Sequence, residues 1–216
     1  MVSTLKVTKI QIPNSDSDVI SLDASTGNIT VPKPVAFSGT VTGTAMVKVA
    51  DLDFAEGVTN VEIDSTHINS TYDSYRIQYR FKPATDNVSL RLRIFVGGVI
   101  QTGTIYAYEG HQSGGGAINS NGDSYFRLNT GSVGGAGAAK EEGLMGHIEM
   151  LNVNNTFLPL SYGGSSNHMN TSGNHVGNEI TGFLIKGQEA TVANGLRFYW
   201  SSGNFDGGNV KIYGIS

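Results

Sequence analysis

A chain of 216 residues with 38% hydrophobic and only 15% charged side chains holds enough apolar material for one sizeable β domain plus an extension, and its nine Tyr, nine Phe and one Trp argue against disorder. A net charge of −4, with 14 Lys and Arg scattered along the chain, excludes a sequence-independent grip on nucleic acid, and the lack of cysteine excludes disulfides and thiolate metal sites. No apolar run reaches the length of a signal peptide or a membrane span, so the chain is expected to be soluble, without membrane insertion, and to reach the outside of a cell by lysis rather than secretion.

Residues 1–45 read differently from the rest. The pieces LKVTKIQI, DVISLDAS, GNITVP and PVAFSGTVTG are short and alternating, and Asn14, Asp18, Gly27, Pro32, Pro34 and Gly39 punctuate them. This predicts strands of about four to six residues. Leu5/Val7, Ile10/Ile12 and Val19/Ile20/Leu22 are too few to close a core within one chain. A segment of this kind packs against copies of itself or against a partner.

Residues 46–216 carry the pattern of one larger β domain. In YRIQYRFK, Tyr75, Ile77, Tyr79 and Phe81 share one face, and Arg76, Gln78, Arg80 and Lys82 the other. In VSLRLRIFV, Val88, Leu90, Leu92, Ile94 and Val96 point inward, with Arg91 and Arg93 outward. The connector 83–87 has hairpin-loop chemistry, and Val96-Gly97-Gly98-Val99 is a candidate two-residue hairpin. Further strands are predicted at 99–108, 123–129, 146–153, 178–185, 196–201 and 209–215. The densest basic group, Arg76, Arg80, Arg91 and Arg93, is expected to form one solvated or intersubunit face. No stretch has helical periodicity, so the default is an all-β fold, a β-sandwich or jelly roll.

Gly110–Asn121, Gly131–Ala139 and Ser161–Gly177 are too rich in Gly and Ser to predict strands. Loops of that length usually bind something or lie against a neighbour.

Chemistry is sparse. Five histidines occur, His67, His111, His147, His168 and His175. His168 and His175 share one predicted loop at a spacing that does not suit a metal pair. His147 alternates with Met145 on a strand, which suits a surface or interface role. Asp64, Asp73, Glu109 and Asp123 are widely spread, and the adjacent Glu141 and Glu142 point to opposite faces if extended. No nucleophile elbow, metalloprotease motif, phosphate loop or dinucleotide fingerprint appears. No catalytic residue, metal or cofactor is assigned, and the chain reads as a non-enzyme. Tyr106 and Tyr108 suit either a core or a sugar-stacking platform, with the core favoured. Trp200, on the Leu196/Phe198 face, is expected to be buried. The residues proposed for binding are His111, Tyr162, His168 and His175, as the larger groups on the Ser/Asn/Gly-rich segments.

The ending LRFYWSSGNFDGGNVKIYGIS resembles the closing signature of a family of tailed-phage structural proteins, with a Ser-Gly-Asn-Phe turn, a Gly-Gly step and a terminal Tyr-Gly-Ile strand. YDSYRIQYRF followed by DNVSLRLRIFVGG looks like that family's first hairpin, and TIYAYEG and GHIEMLNVNN are similar to later segments. The N-terminal pieces resemble the leader of fibre-like proteins of marine and cyanobacterial phages. The resemblance implies a virion protein, a homotrimer, with an N-terminal attachment or shaft segment that meets other virion proteins and a β-sandwich head. It also implies a tail or head fibre that adheres to a host receptor or surface glycan. Three rival readings are a capsid decoration or neck/baseplate adaptor without host contact, a glycan depolymerase marked by paired carboxylates in one groove, and a cellular carbohydrate-binding module.

Overall fold

The structure is a computed structural model, and it describes residues 9–11, 18–22, 29–30, 46–113, 116–129, 143–154, 158–170, 172–184 and 192–215. The chain divides into two compact units, Met1–Thr44 and Ala45–Ser216. In the first unit β1 (Lys9–Gln11), β2 (Asp18–Leu22) and β3 (Ile29–Thr30) form an antiparallel sheet in that order. These strands fall within three of the predicted alternating pieces. The fourth, PVAFSGTVTG, lies outside the described residues.

The second unit is an antiparallel β-sandwich, and no helix occurs among its described residues. Its strands are β4 (Val47–Glu56), β5 (Asn60–Ile63), β6 (Ser74–Pro83), β7 (Leu90–Val96), β8 (Val99–Ile100), β9 (Tyr106–Gln112), β10 (Gly116–Asp123), β11 (Phe126–Arg127), β12 (Leu144–Leu151), β13 (Ser161–Met169), β14 (His175–Leu184), β15 (Ala193–Trp200) and β16 (Phe205–Ile215). An eight-stranded sheet runs β10-β9-β14-β13-β12-β6-β16-β4, and a smaller sheet runs β11-β7-β15-β5, with β8 paired to β7. The period-two pattern does what it predicts. Tyr75, Ile77, Tyr79 and Phe81 are buried from one sheet, and Leu90, Leu92, Ile94, Phe198 and Trp200 from the other. Phe198 sits 5.6 Å from Tyr79 and 5.3 Å from Phe81, ring to ring, which joins the two layers. Tyr106 and Tyr108 are also buried, so they belong to the core.

Three expectations fail, each for a topological reason. First, residues 84–89 do not close a hairpin. Both edges of β6 are taken by β12 and β16, so the chain must cross to the other sheet, where β7 pairs with β15. A second crossover, from β15 to β16, lies beside it, and Ala84 N–H donates to the Asn204 carbonyl at 2.9 Å while Ser201 N–H donates to the Ser89 carbonyl at 2.9 Å. The genuine two-residue hairpin is Gly97-Gly98, at φ +57° and +78°, the left-handed geometry that such a turn requires.

Second, Gly110–Asn121 and Ser161–Gly177 are not loops. They supply most of the β9–β10 and β13–β14 hairpins. Along β13 the inward positions after Tyr162 are Gly164, Ser166 and His168, so that strand offers no run of apolar alternation to read, whereas β14 buries Val176, Ile180 and Leu184. Both strands are held by ladders on each side, β12 and β14 around β13, and β13 and β9 around β14. Third, the four arginines do not share a face. Arg76 and Arg80 lie on the outside of the eight-stranded sheet, whereas Arg91 and Arg93 lie on the outside of the smaller one. The segment Gly131–Ala139 lies outside the described residues.

Candidate functional site

The outer face of the eight-stranded sheet is built in rows set by strand register. One row runs Ala117, His111, Glu179, Ser165, His147, Gln78 from β10 to β6, and the next runs Asn119, Glu109, Thr181, Gly163, Glu149, Arg76. On the middle strands of this face β13 carries small groups, Gly163, Ser165 and Asn167, while β14 alternates the small Gly177 and Thr181 with His175, Glu179 and Phe183. Longer side chains stand on either side. The face is therefore a shallow trough floored by hydrogen-bonding groups on paired strands.

Two depressions lie along it. One, of about 490 Å³, is bounded by His111, Ser113, Ser165, Asn167 and Glu179. Its floor is fixed by Gly177 N–H donating to Ser113 Oγ at 3.0 Å and Ser113 N–H donating to the Gly177 carbonyl at 2.9 Å. The other, of about 400 Å³, is bounded by Glu109, Asn119, Asn121, Thr181 and Phe183. Phe183 is 49% exposed, an aromatic ring standing on a polar face.

On the β12 side, Arg76 Nη1 donates to Glu149 Oε1 at 3.2 Å. His147 stands 3.5 Å from Ser165 Oγ through Nδ1. Partial burial lowers the His147 pKa, Arg76 lowers it further, and Glu149 opposes them. A largely neutral imidazole at neutral pH can both donate and accept hydrogen bonds at the trough wall.

The four residues proposed for binding do not come together. His111 and His175 are exposed on the outer face. Tyr162 and His168 point the other way, into the core, each only 3% exposed. The alternation of β13 decides this, since Tyr162, Ser166 and His168 share its inward face. Burial raises the Tyr162 pKa strongly, and its hydroxyl donates to the Arg127 carbonyl at 3.4 Å. His168 Nδ1 lies 3.5 Å from Asn178 Nδ2, and its Nε2 is buried without a hydrogen-bond partner among the described residues. His168 and His175 therefore lie on opposite faces of one hairpin, which rules them out as a metal pair. Among the described residues no three His, Asp or Glu side chains converge to hold a metal.

The sequence reading named Glu109 only as one of several widely spread carboxylates and did not name Glu179, Thr181 or Phe183. Glu109 lies opposite Thr181 and His111 opposite Glu179, so the two carboxylates are diagonal neighbours on one face. Their Cα atoms stand about 7–8 Å apart in such a register. The signal for Phe183 was legible, because in EITGF it shares parity with Glu179 and Thr181. Glu141 and Glu142 lie outside the described residues. Compared with protein families, curated proteins and solved structures, the chain finds no match.

Proposed function

We propose that this chain is a fibre-type structural protein of a tailed phage, working as a homotrimer that adheres to a host surface glycan or receptor through the trough on β13, β14 and β9. Its N-terminal unit joins the protomers and attaches them to other virion proteins. The observation that carries the adhesive part is the trough itself. Small Ser, Asn, Thr and Gly groups lie on the inner strands of a broad sheet, where neighbours on both sides hold the backbone still. Hydrogen-bonding groups on a rigid scaffold bind with little ordering cost. His111, Glu179 and Phe183 rise from that floor as the larger contact groups. Tyr162 and His168 have no place in this surface.

The test is antibody raised to the full chain and applied to the phage that encodes it. Gold label should decorate fibres in electron micrographs, and Fab fragments should block adsorption. Label confined to the capsid shell with normal adsorption refutes adhesion in favour of a decoration role. No label on the particle refutes the virion reading altogether.

One observation favours a second reading. Glu109 and Glu179 are diagonal neighbours on one face, and two carboxylates in one groove are what glycoside hydrolysis requires. Release of new reducing ends from host polysaccharide, abolished in Glu109→Gln and Glu179→Gln, would establish depolymerisation in place of plain adhesion.

A further inference from the structure

The outer face of the smaller sheet carries a second concentration of charge. Arg91 and Arg93 of β7 point outward between the buried Leu90, Leu92 and Ile94. Register places Arg127 of β11 directly opposite Arg91, and Arg197 of β15 directly opposite Arg93. Like charges facing each other across strands repel and destabilise a sheet. Three rings lie among them. The Arg91 guanidinium is 4.1 Å from the Tyr125 ring centre, that of Arg93 5.0 Å from Tyr199, and that of Arg197 5.5 Å from Phe95. These contacts hold the cations flat on the sheet and offset part of the repulsion.

Counter-charge is short. Arg197 Nε donates to Glu62 Oε1 at 2.7 Å. Arg93 Nε donates to the Ser124 carbonyl at 2.9 Å, and Arg127 Nη2 reaches Ser89 Oγ at 3.4 Å. Among the described residues no carboxylate forms an ion pair with Arg91, Arg93 or Arg127. Asp123 accepts from the Tyr108 hydroxyl at 2.9 Å and from Ser124 N–H at 2.7 Å and adds one negative charge near the cluster without an ion pair to its arginines. Arg91 Nε, Arg127 Nε and the Tyr199 hydroxyl are buried with no hydrogen-bond partner among the described residues. Unanswered donors and opposed cations gather on one face of a chain whose net charge is −4.

The geometry points to an anionic polysaccharide as the occupant: we propose that the outer face of β11, β7 and β15 binds a glycan bearing carboxylate or sulfate groups along its chain. Guanidinium groups take such anions through paired, planar hydrogen bonds. Arg91 and Arg93 stand about 7 Å apart along the strand, within reach of acidic groups on adjoining sugars. A protein partner fits less well. Arginines opposed in register would need a protein to place a matching set of carboxylates over them, whereas an acidic polysaccharide repeats its charge along its chain. The exposed large apolar side chains nearest this sheet, Val99 on β8 and Val192 just before β15, lie outside the arginine rows of β11, β7 and β15. Single-stranded nucleic acid fits less well too, because bases need open aromatic faces and each ring here already carries a guanidinium. This surface lies on the other sheet from the trough and adds to the adhesive reading a second, anion-selective glycan site. Its test uses purified protein alone, so it stands or falls separately from any role in a particle.

The test is biolayer interferometry of the full chain on immobilised polygalacturonate and dextran sulfate, with neutral dextran and a thymidine oligonucleotide as comparisons. Binding to the acidic polysaccharides should weaken steeply between about 50 and about 200 mM salt. Arg91→Gln with Arg127→Gln, and separately Arg93→Gln with Arg197→Gln, should each weaken it about tenfold or more, while Arg80→Gln on the opposite sheet stays within about twofold. Lys in place of Arg91 and Arg127 keeps the charge and should recover part of the loss, which separates lost contacts from misfolding. The proposal is overturned if the wild-type chain ignores both polyanions at low salt. It is equally overturned if the oligonucleotide binds as tightly as polygalacturonate, or if Arg80→Gln costs as much as the paired variants.

Discussion

The contact between the two sheets turns on Phe198, and its replacement by Ala gives the sharpest check on the sandwich. Its ring is fully buried on β15 and packs against Tyr79 and Phe81 from the opposite layer, at 5.6 Å and 5.3 Å. Truncation removes the ring from the centre of a close-packed core and leaves a cavity that neighbouring strands cannot collapse to fill. Such changes cost about 3–5 kcal/mol. In a domain of this size each kcal/mol moves the melting temperature by about 2–4 °C, so the variant should melt about 6–20 °C lower. Phe183→Ala is the matched control, since the same side chain on the outer face of β14 is 49% exposed. It should change stability by no more than about 0.5 kcal/mol. Urea unfolding followed by circular dichroism measures both, with an unchanged slope required for the comparison. Equal losses for the two variants, or a loss below about 1 kcal/mol for Phe198→Ala, would refute the assignment of faces.

Other consequences follow from the same geometry. A Cβ on Gly164 would run into the His147 carbonyl oxygen and lie 3.0 Å from the Ile148 Cα, whereas one on Gly163 would meet nothing nearer than the Thr181 methyl at 3.9 Å. Gly164→Ala should therefore cost about 3 kcal/mol by thermal melting, and Gly163→Ala almost nothing. His168 is buried with its pKa lowered, by desolvation first and by His175 second, from an ordinary 6.5. The unfolded chain then takes up the proton more readily than the folded one. Stability contributed by neutral His168 is complete above about pH 6.5 and is lost as the pH falls toward the folded value. A His168→Gln variant should show a shallower decline in melting temperature between about pH 7 and about pH 5, and an unchanged decline would sink this account. Sedimentation equilibrium of the full chain should give a trimer, and a clean monomer at about micromolar concentration with residues 2–43 intact would refute assembly through the N-terminal unit.

The sequence by itself determined the all-β class, because YRIQYRFK and VSLRLRIFV alternate so regularly that their inward faces could be named residue by residue. It determined the Gly97-Gly98 turn, since two adjacent positive φ angles demand glycine. It also determined the burial of Trp200, whose neighbours set its parity, and favoured the core for Tyr106 and Tyr108 over a sugar-stacking platform, which the structure then decided. Strand identity at Gly110–Asn121 and Ser161–Gly177 was decided only in the tertiary structure. The inward positions Gly164, Ser166 and His168 of β13 carry no apolar signal, and that strand is held by the ladders β12 and β14 offer on both its edges. The same fact moved Tyr162 and His168 from a proposed surface into the core and brought Glu109 beside Glu179. The separation of Arg76 and Arg80 from Arg91 and Arg93 was likewise tertiary. Alternation tells which side of its own strand a residue faces, but only strand pairing tells which sheet that strand has joined.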